Sequence, residues 1–204
     1  MAAAPKFDEL ALKYVLADTD EKDQHQAISE QAAQAIEEST NKRTTIGQWV
    51  ASVYRWMQSS GEDDLISRAK ALDFLASTLQ VLSRRNDTLN ADQTKLLVTF
   101  FCSLFENDHK AGVTASVKAL KCLIVTKHFQ PSFGSEILQS ICKLGDDFKL
   151  QAPTTRLEIY RLFWSIFEIP AVVSDLEHRN LQGILRLFSY LTQTFSNALC
   201  RNYR

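Results

Sequence analysis

The chain has 204 residues, enough for one continuous core, and its 23 Lys and Arg nearly balance 24 Asp and Glu, for a net charge of −1. That balance excludes a strong single-sign field of the kind that holds nucleic acid or an acidic membrane surface. Six glycines and four prolines are too few for a β-sandwich or a phosphate-binding α/β fold, so the expected class is all-α.

In chain order, Pro5 to Asp18 forms an amphipathic pattern with Phe7, Leu10, Ala11, Tyr14 and Val15 on one face. Thr19, Asp20 and Glu21 supply a cap and early acid for a second helix reaching about Glu38, whose sizeable apolar anchors are Ile28 and Ile36. So weakly apolar a helix suits the wet end of a stack. A polar linker, Ser39 to Thr45, leads to a helix Ile46 to Gln58. Ser59, Ser60 and Gly61 then turn the chain into the stretch that organises the rest.

From Gly61 to Leu82, acidic Glu62, Asp63 and Asp64 stand at a helix start, where free N–H groups and the dipole favour negative charge. Leu65, Ile66, Ala69, Leu72, Leu75, Ala76 and Leu79 follow as an apolar stripe, with Lys70, Asp73, Ser77 and Gln80 facing away. Asn90 or Asp92 opens a helix Gln93 to Phe105. Its face of Leu96, Leu97, Phe100, Phe101, Leu104 and Phe105 marks it as the most buried helix. A further helix runs from near Gly112 to about Thr126. Pro131 to Gly134 reads as a turn, Ser135 to Gly145 as a short glycine-capped helix, Thr154 to Phe167 as a helix after Pro153, and Asp175 to Leu199 as the last.

The second members of these hairpins begin at intervals of roughly 40 to 50 residues, the period of HEAT and armadillo arrays. The expected architecture is a right-handed α-solenoid of HEAT-like hairpins, with capping helices at 1–42 and a continuous array at 43–204. No capping repeat is visible after Cys200, so the array reads as the N-terminal part of a longer solenoid.

Catalytic and metal motifs are lacking: no phosphate-binding glycine loop, no Gly-x-Ser-x-Gly elbow and no His-Glu-x-x-His pair occurs. His25, His109, His128 and His178 stand alone, and Cys102, Cys122, Cys142 and Cys200 form no Cys-x-x-Cys pair. Buried reduced thiols are the expectation, with no catalytic, metal or cofactor site. No apolar run has the length of a membrane span, and the reading is soluble and intracellular. Arg68, four residues after Asp64, and Arg156, at a comparable place in a later hairpin, are expected to make structural pairs. Arg55 and Trp56 are the candidates for partner contact.

The runs Val15–Glu21, Ala32–Glu37, Ile46–Val50 and Glu62–Ala71 resemble the N-terminal domain of the MMS-nineteen (methyl-methanesulfonate sensitivity) HEAT-repeat proteins. Leu97–Phe101 with Asn107, Asp108 and His109, then Ser116–Leu120, then Thr155 and Arg156 with Ile159 and Tyr160, resemble that domain's next motifs in the same order. The similarity covers about residues 10 to 168. It implies a non-catalytic adaptor of the cytosolic iron–sulfur targeting complex, cytoplasmic and nuclear. The implied partners are iron–sulfur assembly factors and apo client enzymes of DNA repair, replication and transcription, with no direct contact to nucleic acid or membrane. It also makes Asp64, Arg68, Asp108, Arg156 and Tyr160 repeat-signature positions. From the residues alone, a general scaffold in transport or trafficking and a thiol-dependent helical enzyme stand as alternatives.

Overall fold

A computed structural model describes residues 7–18, 20–38, 45–51, 64–85, 89–106 and 110–178. These residues are helical throughout apart from short connections, and no strand occurs among them. The helices are α1 (Phe7–Leu16), α2 (Lys22–Glu38), α3 (described over 45–51), α4 (Asp64–Arg84), α5 (Ala91–Ser103), α6 (Lys110–Leu123), α7 (Pro131–Lys143), α8 (Pro153–Phe167) and α9 (Pro170–His178). A 3-10 turn, Gly145–Leu150, joins α7 to α8.

Packing follows a next-but-one rule. α2 lies against α4, α4 against α6 and α6 against α8 in one row, while α5 lies against α7 and α7 against α9 in a second. Hairpin contacts between α5 and α6, α7 and α8, and α8 and α9 tie the rows together, and α1 covers α2 and α4. The fold is all-α, and two rows of helices stacked in this way make the layered arrangement of a helical-repeat array. Within the first row α4, α6 and α8 begin at Asp64, Lys110 and Pro153, so the sequence period is carried into the structure.

Local chemistry explains the helix ends. The side chain of Asn90 accepts the Gln93 N–H at 2.9 Å, and the Gln93 side chain accepts the Asn90 N–H at 2.9 Å, a reciprocal capping box. Asn90→Ala removes one of these bonds and should cost about 1 kcal/mol in urea unfolding. Pro131 is not in a turn but opens α7, so Pro131, Ser132, Phe133 and Gly134 form its first helical turn. A proline there loses no hydrogen bond and presets φ. The same logic places Pro153 at the start of α8 and Pro170 at the start of α9, which therefore begins before Asp175. Gly145, with φ +47, follows the last residues of α7 in the left-handed region that glycine enters without strain.

α5 is not the most buried helix: among the described residues it buries seven residues, α6 eight and α4 nine. In α4, Ala71, Leu72, Phe74, Leu75, Ala76, Thr78, Leu79, Val81 and Leu82 are all buried, because neighbours pack on more than one side of the helix. The buried Thr78 hydroxyl donates back to the Phe74 carbonyl at 2.9 Å, which satisfies it locally. In α5, Leu97, Val98, Phe100, Phe101 and Cys102 are buried, but Leu96 is exposed. α2 buries only Ile28, Ser29, Ala32, Ala33 and Ile36, the narrow face that its composition allows.

Candidate docking surface

The polar stripe of α4 does not face open solvent. Asp73 accepts from the Tyr14 hydroxyl at 2.5 Å through Oδ2 and from Lys118 Nζ at 2.8 Å through Oδ1. Lys118 also donates to Ser77 Oγ at 2.7 Å, so one lysine of α6 bridges two residues one turn apart on α4. Lys70 Nζ donates to the carbonyls of Val15 at 2.8 Å and Ala17 at 3.1 Å, groups left without helical partners where α1 ends. Towards α8, Thr114 bonds Thr155 at 3.2 Å, and Lys121 Nζ donates to Glu158 at 2.6 Å. Arg161 reaches the other oxygen of Glu158 at 2.6 Å. A ladder of side-chain pairs thus runs across α1, α4, α6 and α8.

The electrostatics match this geometry. The hydrogen bond from Lys121 is the main cause holding Glu158 below the usual carboxylate range. Burial first, then the bond to Asp73, raises the Tyr14 phenol above its ordinary range. The Lys118 and Asp73 side chains keep 34% and 46% of their accessible surface, so their pair is screened and contributes at most about 1 kcal/mol. The ladder therefore sets register between helices more than it sets stability.

Two hollows open along it. One, of about 510 Å³, is lined by residues including Gln80, Thr114, Lys118, Lys121, Cys122 and Glu158. The other, of about 290 Å³, takes in Tyr14, Lys22, His25, Lys70, Asp73 and Ser77. Gln80 and Lys118 line both, so the two form one groove along the row from α2 to α8.

Of the signature positions, Asp64 is the first residue of α4 and Arg68 lies one turn further on. Arg68 is half-buried, and its Nε has no hydrogen-bond partner among the described residues. Arg156 sits half-buried in the opening turns of α8, and Tyr160 packs edge-on against Phe148 with ring centroids 5.3 Å apart. Arg55, Trp56 and Asp108 lie outside the described residues. Among the described residues, Lys118 with Asp73, Lys121 with Glu158, and Arg85 just past α4 with Glu37 of α2 pair across the first row. The sequence signal of the two lysine pairs was the polar stripe on α4 together with lysines one turn apart on α6.

Among the described residues the histidines and cysteines do not gather. His25 lies against the Tyr14 ring, centroids 4.3 Å apart, and His178 Nδ1 bonds the Ser174 carbonyl at 2.6 Å. His109 and Cys200 lie outside the described residues. Among the described residues no group of three or more His, Cys, Asp or Glu is placed to hold a metal ion, and no helix is long and apolar enough to cross a membrane. Burial pushes the Cys102 thiol up to about 12 and also raises Cys122 and Cys142. The reactive thiolate of Cys102 is thus nearly absent at pH 8. Ellman's reagent should therefore react with Cys102 at least about 100-fold more slowly in the folded chain than in urea. Similar rates in both states would contradict this environment.

Comparison with known families decides what these rows of helices are. The family described as Dos2-interacting transcription regulator of RNA-Pol-II, the MMS19 N-terminal family, matches residues 55–190. The chain belongs to that family. The match takes in α4 to α9, so the α4, α6 and α8 members of the MMS19-family ladder fall within it, while Tyr14, Val15 and Ala17 lie before it. No curated protein and no solved structure matches the chain. The MMS19 N-terminal family is one of scaffolds and adaptors, a class that acts through protein–protein interaction.

Proposed function

We propose that this chain is a non-catalytic adaptor domain that helps deliver iron–sulfur clusters to apo proteins of DNA repair, replication and transcription. It works through the cytosolic iron–sulfur targeting complex, in the cytoplasm and the nucleus. The observation that carries the reading is the family match over 55–190. The cluster is cargo held by other members of the complex, and this chain contributes a rigid surface. Two rows of helices locked by a buried apolar core hold the groove residues in fixed positions, so a partner meets a preformed site and loses less conformational freedom on binding. Its partners are assembly factors and apo clients, with no direct contact to nucleic acid or membrane.

Affinity capture with the chain as bait tests this. Recovery of iron–sulfur assembly factors together with apo client enzymes is the expected result. Recovery of transport factors with neither of those would replace the proposal with a trafficking scaffold.

A further inference from the structure

The charges along the groove are unequal. Lys22, Lys70, Lys118 and Lys121 line it against the carboxylates of Asp73 and Glu158, although the chain as a whole carries −1. Lys70 donates to two backbone carbonyls, so no carboxylate offsets its charge in the ion pairs among the described residues. Lys118 and Lys121 share a carboxylate each but sit one helical turn apart on α6, where their charges add. Between the charges stand Gln80, Thr114, Thr154 and Thr155, groups that can donate to or accept from a peptide backbone.

We propose that the groove across α4, α6 and α8 holds an extended acidic segment of a partner protein. This rests on the adaptor reading above and names the chemistry of what docks. Stacked helices lie about 8–10 Å apart. Three of them therefore span roughly 20 Å, the length of about six residues of extended chain. Carboxylates spaced along such a segment meet Lys70, Lys118 and Lys121, while its backbone meets the amide and hydroxyls. A nucleic acid fits less well. Its closely spaced phosphates would lie against Asp73 and Glu158, and Tyr14, held by Asp73, is the one aromatic ring besides His25 among the lining residues.

The test is fluorescence anisotropy of the whole chain with a labelled peptide alternating Glu and Asp with Ser and Gly. A lysine counterpart and a single-stranded oligonucleotide of equal charge serve as competitors. The acidic peptide should bind, and its affinity should fall at least about threefold between low and physiological salt as screening increases. Lys121→Gln should weaken it about threefold, and Glu158→Gln should tighten it by a similar factor. Both substitutions break the same ion pair, so damage to the fold would lower binding in both. Opposite signs arise only if the groove reads charge.

Absence of binding by the acidic peptide, equal or better binding of the lysine peptide or the oligonucleotide, or weakening by Glu158→Gln would each overturn the proposal. The two readings separate cleanly. If assembly factors are captured but the acidic peptide fails, the adaptor stands and the groove falls. If the peptide binds with the expected signs but no assembly factor is captured, the groove stands and its place in iron–sulfur delivery falls.

Discussion

Phe74→Ala should lower the unfolding free energy by about 3–5 kcal/mol. Phe74 is fully buried in the middle of α4. Its ring lies 5.0 Å from that of Tyr14 on α1 and 6.1 Å from that of Trp49 on α3, so it is where three helices meet. Truncation removes both ring contacts and leaves a void that the two flanking aromatics cannot both close, since the Tyr14 hydroxyl is held by Asp73. Against a total of about 5–15 kcal/mol for an ordinary domain, the loss is a large fraction. Urea unfolding followed by circular dichroism measures it as a shift of midpoint at constant slope. A change below about 1 kcal/mol would mean that Phe74 is not at the crossing.

Gly134→Ala sets two effects against each other. Alanine is the better helix former by about 1 kcal/mol. The added Cβ would, however, stand 2.6 and 2.7 Å from the two Cγ atoms of Val172 and 3.3 Å from Ile166 Cγ2. Val172 and Ile166 are fully buried, and a β-branched side chain has little freedom to swing away. Overpacking of this kind costs about 1–3 kcal/mol, so it outweighs the gain and the variant should be destabilised by about 1–2 kcal/mol. Val172→Ala alone leaves a small void. Combined with Gly134→Ala it removes the clash, so the double variant should be more stable than the sum of the single effects by at least about 1 kcal/mol. Strict additivity in thermal or urea unfolding would show that α7 and α9 do not approach so closely.

These two residues also show what the sequence could and could not reveal. The stripe of Leu72, Leu75, Ala76 and Leu79 was legible because helical spacing puts those residues on one face, and all four are buried. Phe74 lies off that stripe. A pattern with one buried face cannot register a helix flanked by neighbours on several sides, which is the position α4 holds between α2 and α6. The weight of α5 misled for the related reason that apolar content is not burial: Leu96 contributes to the face yet stays exposed. Pro131 carries two meanings, turn residue and first residue of a helix, and only the backbone that follows it distinguishes them. The lysine partners of Asp73 and Glu158 lie 45 and 37 positions away, beyond the reach of any local spacing rule. The acid and lysine stripes were readable, but their pairing was set by the stacking of whole helices. Asp64 with Arg68 is legible because charges three or four residues apart share one face of a helix.

The next-but-one packing has a kinetic consequence. Among the side-chain bonds that join the first-row helices and α1, Lys121 to Glu158 closes a loop of 37 residues and Tyr14 to Asp73 one of 59, and the entropy lost in closing a loop rises only with the logarithm of its length. A chain assembled in this way has no distant strands to find and no late, long-range closure to await. Any adjacent pair of hairpins can nucleate, with growth proceeding outward rung by rung in either direction. The helices of the first row can therefore dock as they emerge during synthesis, each new one completing a surface that the previous ones have already built.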